Sequence, residues 1–296
     1  MPDAFRAGPG RLDAVVAERL GVPRAEAQRA IAAGGVRVDG DERPKSFRLN
    51  GGERVTVDLS AGAAIPPEGP PVDLRYRDEH LVVVAKPAGV PTHPTENRRG
   101  GTLVNRLLGM GIPLAPRGGP LRPGIVHRLD AGTSGLLVVA CDDGTHRSLA
   151  RTFERHLADR RYLALVRGAV ANERFEVDAP LGRRGARIRL DTAGRAAATV
   201  FEVRERFPRA TLLEAAPRTG RTHQIRVHLA AVRHPILGDG RYGGGGDDAR
   251  ALGLDRPFLH AWRIAFEHPV TGERIELEEP PPPDLTEALR RLRARD

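Results

Sequence analysis

The sequence predicts an α+β protein in two parts, a small N-terminal domain and a larger domain built on a mostly antiparallel sheet. The length of 296 residues exceeds one average domain, and a 40% hydrophobic fraction supplies a core. A stretch rich in proline and glycine at 60–71 has the composition of a linker. After it, strand patterns outnumber helix patterns without alternating regularly with them, which favours an antiparallel sheet over a doubly wound one. We predict domains at 1–62 and 72–296, joined by residues 63–71.

The N-terminal domain is predicted to consist of two helices followed by short strands. Apolar residues at helical spacing indicate one helix that Gly21 ends and a second with Pro23 in its first turn. Alternating apolar and polar residues at 36–38 and 55–59 indicate the strands. The basic residues between these apolar positions form either one basic face or an ordinary solvated surface. They include Arg24, Arg29 and Arg37.

The larger domain is predicted to contain short strands and one clear helix. Leu149, Phe153 and Leu157 repeat at fourfold spacing, which indicates a helix over 146–160. Short runs of apolar and β-branched residues indicate strands. The predicted strands include 81–85, 124–129, 136–141, 162–166, 199–204, 211–215 and 262–266.

The charge balance favours a polyanionic partner. The chain has 47 Lys and Arg residues against 38 Asp and Glu, a net charge of +9, and such an excess attracts phosphates. No apolar run reaches the ~18 residues of a membrane span, and no signal peptide pattern is present. We therefore expect an intracellular, cytoplasmic protein, with a monomer as the default state.

Metal and disulfide chemistry are disfavoured by the cysteine and histidine pattern. Cys141 is the one cysteine, so an internal disulfide and a thiolate metal cluster are excluded. His223 and His228 stand five residues apart, outside the His-Glu-x-x-His pattern of a zinc site. We predict no metal site.

The segment 124–140 is the most informative part of the chain. Apolar runs flank a turn rich in Gly, Thr and Ser, so we interpret the segment as strand, loop and strand, with Asp130 at the mouth of the loop. Arg128 stands two residues earlier, and a nearby cation favours the ionised form of a carboxylate. An ionised Asp can act as a nucleophile or an electrostatic stabiliser. An arbitrary loop Asp is more often a turn cap paired with a surface Arg.

The run His127-Arg128-Leu129-Asp130, followed by Thr133-Ser134-Gly135, resembles the signature of the RluA/RluD family of RNA pseudouridine synthases. Residues 11–59 resemble the alpha-L RNA-binding domain of a ribosomal small-subunit protein, which also stands at the front of many members of that family. The resemblance implies the pseudouridine synthase fold and RNA as partner, with large-subunit ribosomal RNA favoured and no cofactor required. It also implies RNA capture by the N-terminal domain through the arginines named above.

Two more segments resemble motifs of the same family. In the segment 160–166, the resemblance places Tyr162 against the target base, where it is also a candidate for removing the proton from carbon 5. An ordinary phenol, with a pKa near ~10, is a weak base for that step. In the segment 219–229, the resemblance favours Arg226 over Arg221 as the residue that contacts Asp130, and an Arg there would hold the carboxylate bidentately.

The remaining site residues receive supporting roles from the resemblance. Arg128 would occupy the gap that a flipped-out nucleotide leaves in the RNA. Arg221, His223 and Gln224 would contact the RNA backbone or brace their loop, and His127 would act as a hydrogen-bonding group beside the site. The segment 86–94 resembles the first family motif, which helps to build the cleft, and we assign it no catalytic role.

Two other functions compete with a pseudouridine synthase that uses Asp130, Tyr162 and Arg226. An RNA-binding factor in ribosome assembly could keep the fold and lack the chemistry, although a pure binding protein need not retain this trio. A metal-free glycosidase would need a second carboxylate near Asp130 to activate water. The motifs contain no such carboxylate, which favours an isomerase.

Overall fold

The structure, a computed structural model, describes residues 3–59, 65–95, 98–185 and 187–294. The chain divides into two compact units, Met1–Pro66 and Pro67–Asp296. The part of the predicted linker up to residue 64 lies outside the described residues. The predicted domain limits at 62 and 72 stay predictions.

The first unit has the two predicted helices with short strands after them, and two further strands, which were not predicted, precede the helices. Its elements are β1 (Asp3–Arg6), β2 (Gly10–Arg11), α1 (Leu12–Leu20), α2 (Arg24–Ala32), β3 (Val36–Val38), β4 (Asp41–Glu42), β5 (Arg48–Leu49) and β6 (Arg54–Val57). The sheet order is β1-β6-β3-β4, and β2 pairs with β5. Gly21 ends α1 in the left-handed conformation, with φ 64°. Pro23 directly precedes α2 instead of lying in its first turn.

A buried carboxylate ties the two helices of this unit together. Asp13 on α1 is fully buried and accepts hydrogen bonds from Arg24 at 2.9 and 3.1 Å and from Gln28 at 2.7 Å, both on α2. Arg11 donates to it as well, at 3.1 Å. Of the predicted basic residues, Arg24 is therefore engaged within the protein, with about half of its side chain exposed (51%). Arg37 pairs with Glu42 at 3.0 Å.

Replacing Asp13 with Ala is expected to destabilise this unit by about 2 kcal/mol, because charged hydrogen bonds that join α1 to α2 are lost. Burial raises the pKa of Asp13, but hydrogen bonds from Arg24 and Arg11 outweigh it and hold this pKa well below its usual range. The stabilisation is thus present above the unfolded pKa near 3.8 and is lost as the pH falls below it. Hydrogen exchange of residues 3–59 in the full chain measures the effect. Asp41→Asn, at an exposed ion pair, is the control and should change little.

The second unit contains five helices and eleven strands within the described residues. The strands are β7 (Asp73–Arg77), β8 (Leu81–Lys86), β9 (Ser134–Ala140), β10 (Asp159–Arg167), β11 (Arg174–Asp178), β12 (Leu181–Arg184), β13 (Arg187–Leu190), β14 (Ala198–Phe207), β15 (Ala210–Pro217), β16 (Leu259–Glu267) and β17 (Arg274–Glu278). The helices are α3 (Leu103–Gly109), α4 (Asp143–Glu154), α5 (Gln224–Ala231), α6 (Asp247–Ala251) and α7 (Pro283–Arg293).

A nine-stranded sheet organises this unit and confirms the predicted fold class. Its order is β11-β14-β15-β10-β16-β9-β8-β7, with β17 added to β16. The pairs are antiparallel except β16 with β9, which are parallel. Gly135 permits this parallel contact, because a Cβ there would lie 2.2 Å from the Ala261 carbonyl oxygen. The strands β12 and β13 form a separate hairpin.

The predicted strand over 124–129 is wrong. Only an isolated bridge, between Ile125 and Val139, is present there. The backbone N–H of Val138 donates to the Nε2 atom of His127 at 2.9 Å, and Gly124 takes a positive φ of 71°. The His127 side chain therefore accepts a backbone hydrogen bond of β9 that a neighbouring strand would otherwise accept. The chain before Asp130 is a loop.

The predicted helix over 146–160 is present but shifted toward the N-terminus. Asp142 caps α4 by accepting from the backbone N–H of Thr145 at 2.9 Å, so the helix begins at residue 143. It ends at Glu154, and His156 adopts a left-handed φ of 60°. Leu157, predicted on the apolar face, is 69% exposed. The turn at His156 redirects the chain into β10.

Within the described ranges, no helix has both the length and the apolar character that crossing a bilayer demands.

Candidate active site

Asp130 lies in a loop that the segment 89–92 holds in place. The Thr92 hydroxyl donates to the Leu129 carbonyl at 2.8 Å, and the Leu129 N–H donates to that hydroxyl at 3.2 Å. The backbone N–H of Gly89 donates to the Ala131 carbonyl at 2.8 Å. The Asp130 side chain is only 15% exposed. The loop therefore holds its carboxylate at a fixed, nearly enclosed position.

Two basic side chains support the same loop from its backbone side. Lys86 is buried, and its Nζ donates to two carbonyls of its own segment at 2.8 Å and to the Ala131 carbonyl at 3.4 Å. A guanidinium nitrogen of Arg256 donates to the Gly132 carbonyl at 3.2 Å. Burial lowers the pKa of Lys86 to about 7, against the pull of the Asp130 carboxylate. These contacts position the loop and leave the Asp130 carboxylate facing the cleft.

Arg226 on α5 is the cation that contacts Asp130. Its Nη1 donates to Asp130 Oδ2 at 2.9 Å. The bidentate contact predicted between Arg226 and Asp130 is wrong. Arg226 instead makes a bidentate contact with Asp239, in which its Nε and Nη2 donate to the two carboxylate oxygens at 2.7 and 2.9 Å. Asp239 is only 1% exposed, so it fixes one edge of the guanidinium and leaves Nη1 for Asp130. Arg128, the neighbour in sequence, makes no ion pair with Asp130.

Tyr242 completes the surroundings of this arginine. The Arg226 guanidinium lies over the Tyr242 ring, 5.0 Å from its centroid. The Tyr242 hydroxyl is 2.8 Å from His223 Nδ1, and His223 Nε2 lies 3.8 Å from Asp130.

The surroundings of Arg226 keep it charged. Burial lowers the pKa of Arg226, but the carboxylates of Asp239 and Asp130 outweigh this effect and raise the pKa above its ordinary value. Burial also lowers the pKa of His223, against the pull of Asp130. Arg226 is therefore the cation opposite Asp130 at neutral pH.

Tyr162 lies beside this pair. Asp130, Tyr162 and Arg226 all line one small cavity of about 60 Å³. Burial raises the pKa of Tyr162 above its ordinary value, and the Asp130 carboxylate adds to that rise, while Arg160 opposes it. The phenol is thus a weaker acid than a free tyrosine, so little phenolate is present at neutral pH. Its ring forms part of the wall of the cavity.

Of the two roles predicted for Gln224, the structure supports bracing of the loop. The side chain is buried, and its oxygen accepts from the Thr219 hydroxyl and the Arg221 N–H at 2.6 and 3.0 Å. Its nitrogen donates to the Ala198 carbonyl and to the Thr199 hydroxyl, both at 3.0 Å. These four bonds use the whole capacity of the amide, so the structure contradicts a direct RNA contact for Gln224. Arg221 donates its Nε to the Ala196 carbonyl at 3.0 Å.

A second, larger cavity of about 400 Å³ adjoins the first. Arg128 and Arg221 line both cavities, and His127 lines the larger one. The His127 ring stacks on Phe153, with centroids 4.2 Å apart. Burial, and then the charge of Arg160, lower the pKa of His127 to about 3, so it is neutral at physiological pH. Its Nε2 is already bonded to the edge of β9.

The sequence interpretation missed Asp239 and Tyr242, which hold Arg226, and Arg256, which supports the Asp130 loop. Asp239 follows the apolar pair Ile236-Leu237 in a glycine-rich loop. A single acidic residue after an apolar run was the available signal, and it does not distinguish a turn cap from a partner of a buried arginine. Four glycines, residues 243–246, follow directly on Tyr242.

These features define a class of protein. The Asp130 carboxylate is held opposite a buried arginine in a cleft lined with further arginines, and such a lining attracts anionic ligands. The chain is similar to known proteins of one such class. A family model described as RNA pseudouridylate synthase matches residues 80–231, and an S4 domain model matches residues 10–55.

Full-length relatives agree with the family models. "Ribosomal large subunit pseudouridine synthase D" of Xanthomonas campestris is 40% identical over 96% of this chain and 89% of its own length. "Uncharacterized RNA pseudouridine synthase YlyB" of Bacillus subtilis is 38% identical over 91% of this chain and 89% of its own. The solved structure of human RNA pseudouridylate synthase domain containing 4 superposes with a TM-score of 0.59 at 26% identity, covering 74% of this chain and 92% of that one. The chain belongs to the RNA pseudouridine synthase family, and it carries an S4 domain at its front.

Proposed function

We propose that this enzyme isomerises specific uridines of large-subunit ribosomal RNA and that Asp130 is its essential carboxylate. The observation that carries the proposal is the contact of Asp130 with Arg226 in a cavity that Tyr162 also lines. The ribosomal substrate is supported by the relative from Xanthomonas campestris, whose name specifies the large subunit and which matches nearly the whole chain.

The reaction keeps all atoms of the uridine. The bond from base N1 to ribose C1′ breaks, the base turns, and a bond from C5 to C1′ forms while C5 loses a proton and N1 gains one. An ionised carboxylate serves this sequence by attacking C1′ or the pyrimidine ring, or by stabilising a cationic sugar. Each of these roles requires a charged carboxylate at the cavity floor, and Arg226 lies 2.9 Å from Asp130 as its counter-charge.

Hydrolysis of the glycosidic bond is the reaction that competes with isomerisation. A glycosidase would need a second carboxylate to activate water. Asp239 contacts the same arginine, but both of its oxygens accept from Arg226 and it is 1% exposed. It is therefore unavailable as a base for water, and the site favours return of the detached base to the sugar.

Arg128 is proposed to fill the gap that the target nucleotide leaves. A uridine stacked in RNA cannot reach a small cavity, so it must be flipped out at a cost of a few kcal/mol. Arg128 is exposed at the entrance and lines both cavities. A planar guanidinium in that position can stack on the neighbouring bases and pair with phosphates.

Mapping of pseudouridine in transcripts incubated with the enzyme tests the proposal. Large-subunit ribosomal RNA, small-subunit ribosomal RNA and transfer RNA are treated in parallel, and modified positions are read by primer extension after carbodiimide labelling. We expect pseudouridine at discrete positions of the large-subunit transcript alone. Modification confined to another RNA would overturn the substrate, and binding without modification would favour a role in ribosome assembly.

The Tyr162 ring is expected to contribute to RNA affinity by stacking. Tyr162→Ala should weaken binding of a modified transcript by about 1–3 kcal/mol, because the base loses its aromatic partner. Tyr162→Phe keeps the ring and should bind within about twofold of the wild type. Filter binding measures both variants. Equal losses for Ala and Phe would show that the hydroxyl, and not the ring, carries the contact.

A further inference from the structure

The larger cavity beside the active site has an unusual charge. Five arginines line it, against one acidic residue, Glu154. These arginines are Arg122, Arg128, Arg160, Arg195 and Arg221. Arg128, Arg160 and Arg221 also line the small cavity that contains Asp130. The two cavities are therefore neighbours that share one positively charged wall.

These five arginines are left without carboxylate partners among the residues that the structure describes. Other arginines of this unit do form ion pairs, as Arg263 does with Asp159 at 2.8 Å. Three histidines, His93, His127 and His156, line the same wall. Burial is the main cause that lowers their pKa values, and arginines of this set lower them further, although a backbone hydrogen bond opposes the shift at His93 and at His156. Like charges gathered without compensation repel one another, so their grouping favours an anionic ligand.

Arg160 is the most informative member of the set. It is only 9% exposed, and the one hydrogen bond of its side chain to the described residues is a long one of 3.4 Å, from Nη2 to the Pro217 carbonyl. Its Nε is buried without a partner. Its Cζ lies 5.8 Å from the centroid of the Phe153 ring. A buried guanidinium with unsatisfied donors is costly, and an oxygen-rich ligand would satisfy those donors.

We propose that the larger cavity binds the RNA backbone and that Arg160 contacts a phosphate adjacent to the target uridine. The inference rests on the proposed function, because it takes the uridine to lie against Asp130 and Tyr162. Arg160 lines the cavity of that pair as well as the larger one. A phosphate at the junction would accept from two guanidinium nitrogens, a geometry that Arg favours. Arg221, on the same wall, would contact the next segment of backbone.

The salt dependence of RNA binding tests this inference without requiring activity. The probe is a fluorescein-labelled 12-nucleotide oligouridylate, and its Kd is measured by anisotropy at several salt concentrations. For single strands each phosphate contact contributes about 0.7 to the slope of log K against log salt. Arg160→Gln should reduce the slope by about 0.7 and raise the Kd about tenfold. Arg160→Lys should keep the slope, because it keeps the charge.

A matched control and a kinetic measurement complete the test. Arg274→Gln removes the same charge from an exposed position on β17 and should leave slope and Kd unchanged. On a transcript that the wild type modifies, Arg160→Gln should raise KM about tenfold and change kcat less than about threefold.

Three outcomes would overturn the inference. They are a wild-type slope in Arg160→Gln, an equal slope loss in Arg274→Gln, and no binding of the oligouridylate by the wild type at low salt. Absence of pseudouridine with the wild type is a different result, which overturns the proposed function while the binding measurements still decide the role of Arg160.

Discussion

Replacing Asp130 with Asn is expected to reduce pseudouridine formation by more than about 10³-fold. Asn has nearly the same shape but no charge, so it neither attacks carbon nor stabilises a cationic sugar, and losses of this size are typical when a nucleophile is removed. Single-turnover mapping of pseudouridine in the large-subunit transcript measures the effect. Robust modification by Asp130→Asn would contradict the role proposed for this carboxylate.

The same variant is expected to fold and to bind RNA. Arg226 keeps both of its bonds to Asp239 when Asp130 is neutral, so no buried cation is left without a partner. Removing a negative charge near the phosphates should leave RNA affinity equal or higher. Thermal unfolding and filter binding check these two points. Asp248→Asn, at partly exposed ion pairs with Arg167 and Arg209, is the matched control and should retain full activity.

The sequence motifs selected three residues that the structure brings to one cavity, but they did not predict the local structure around them. Asp130, Tyr162 and Arg226 lie far apart in the chain, and long motifs identified them. The strand expected before Asp130 is absent, because the Val138 N–H of β9 donates to the His127 ring and backbone pairing of this segment with β9 is limited to an isolated bridge at Ile125. Periodicity describes the apolar face of an element, and it cannot show which polar group satisfies a strand edge.

The partners of Arg226 could not be predicted for a related reason. Asp239 and Tyr242 stand in a loop, where no repeating pattern marks which side chains turn inward. Their roles depend on a helix and a loop meeting in three dimensions, as the bidentate contact from α5 to Asp239 shows. The bidentate geometry expected for Asp130 was assigned to the wrong carboxylate, because the sequence did not reveal that a more deeply buried one competes for the same guanidinium.

Asp239 is therefore expected to be a positioning residue for Arg226. In Asp239→Asn the amide nitrogen faces the guanidinium and cannot accept from it, so Arg226 is free to turn away from Asp130. A displacement of about 1 Å at a reacting group can reduce a rate about 10²-fold. We expect kcat to fall about 10²-fold with KM within about threefold, since Asp239 itself is too buried to contact RNA. Steady-state kinetics on the large-subunit transcript measures both values.

A measurement of stability distinguishes this positioning role from a loss of activity caused by unfolding. Removing one partner of a buried ion pair typically lowers the free energy of unfolding by about 3–5 kcal/mol. Asp130 remains to compensate part of the Arg226 charge, so we expect urea denaturation of Asp239→Asn to show a loss of about 3 kcal/mol.

Arg226→Lys keeps a charge but loses the planar fork that reaches both carboxylates, so its kcat should fall to a similar extent. If positioning is the mechanism, Asp239→Asn should lower the rate little further when Asp130 is already Asn, because the group that Arg226 serves has gone. An undiminished effect in that background would place Asp239 outside the catalytic arrangement.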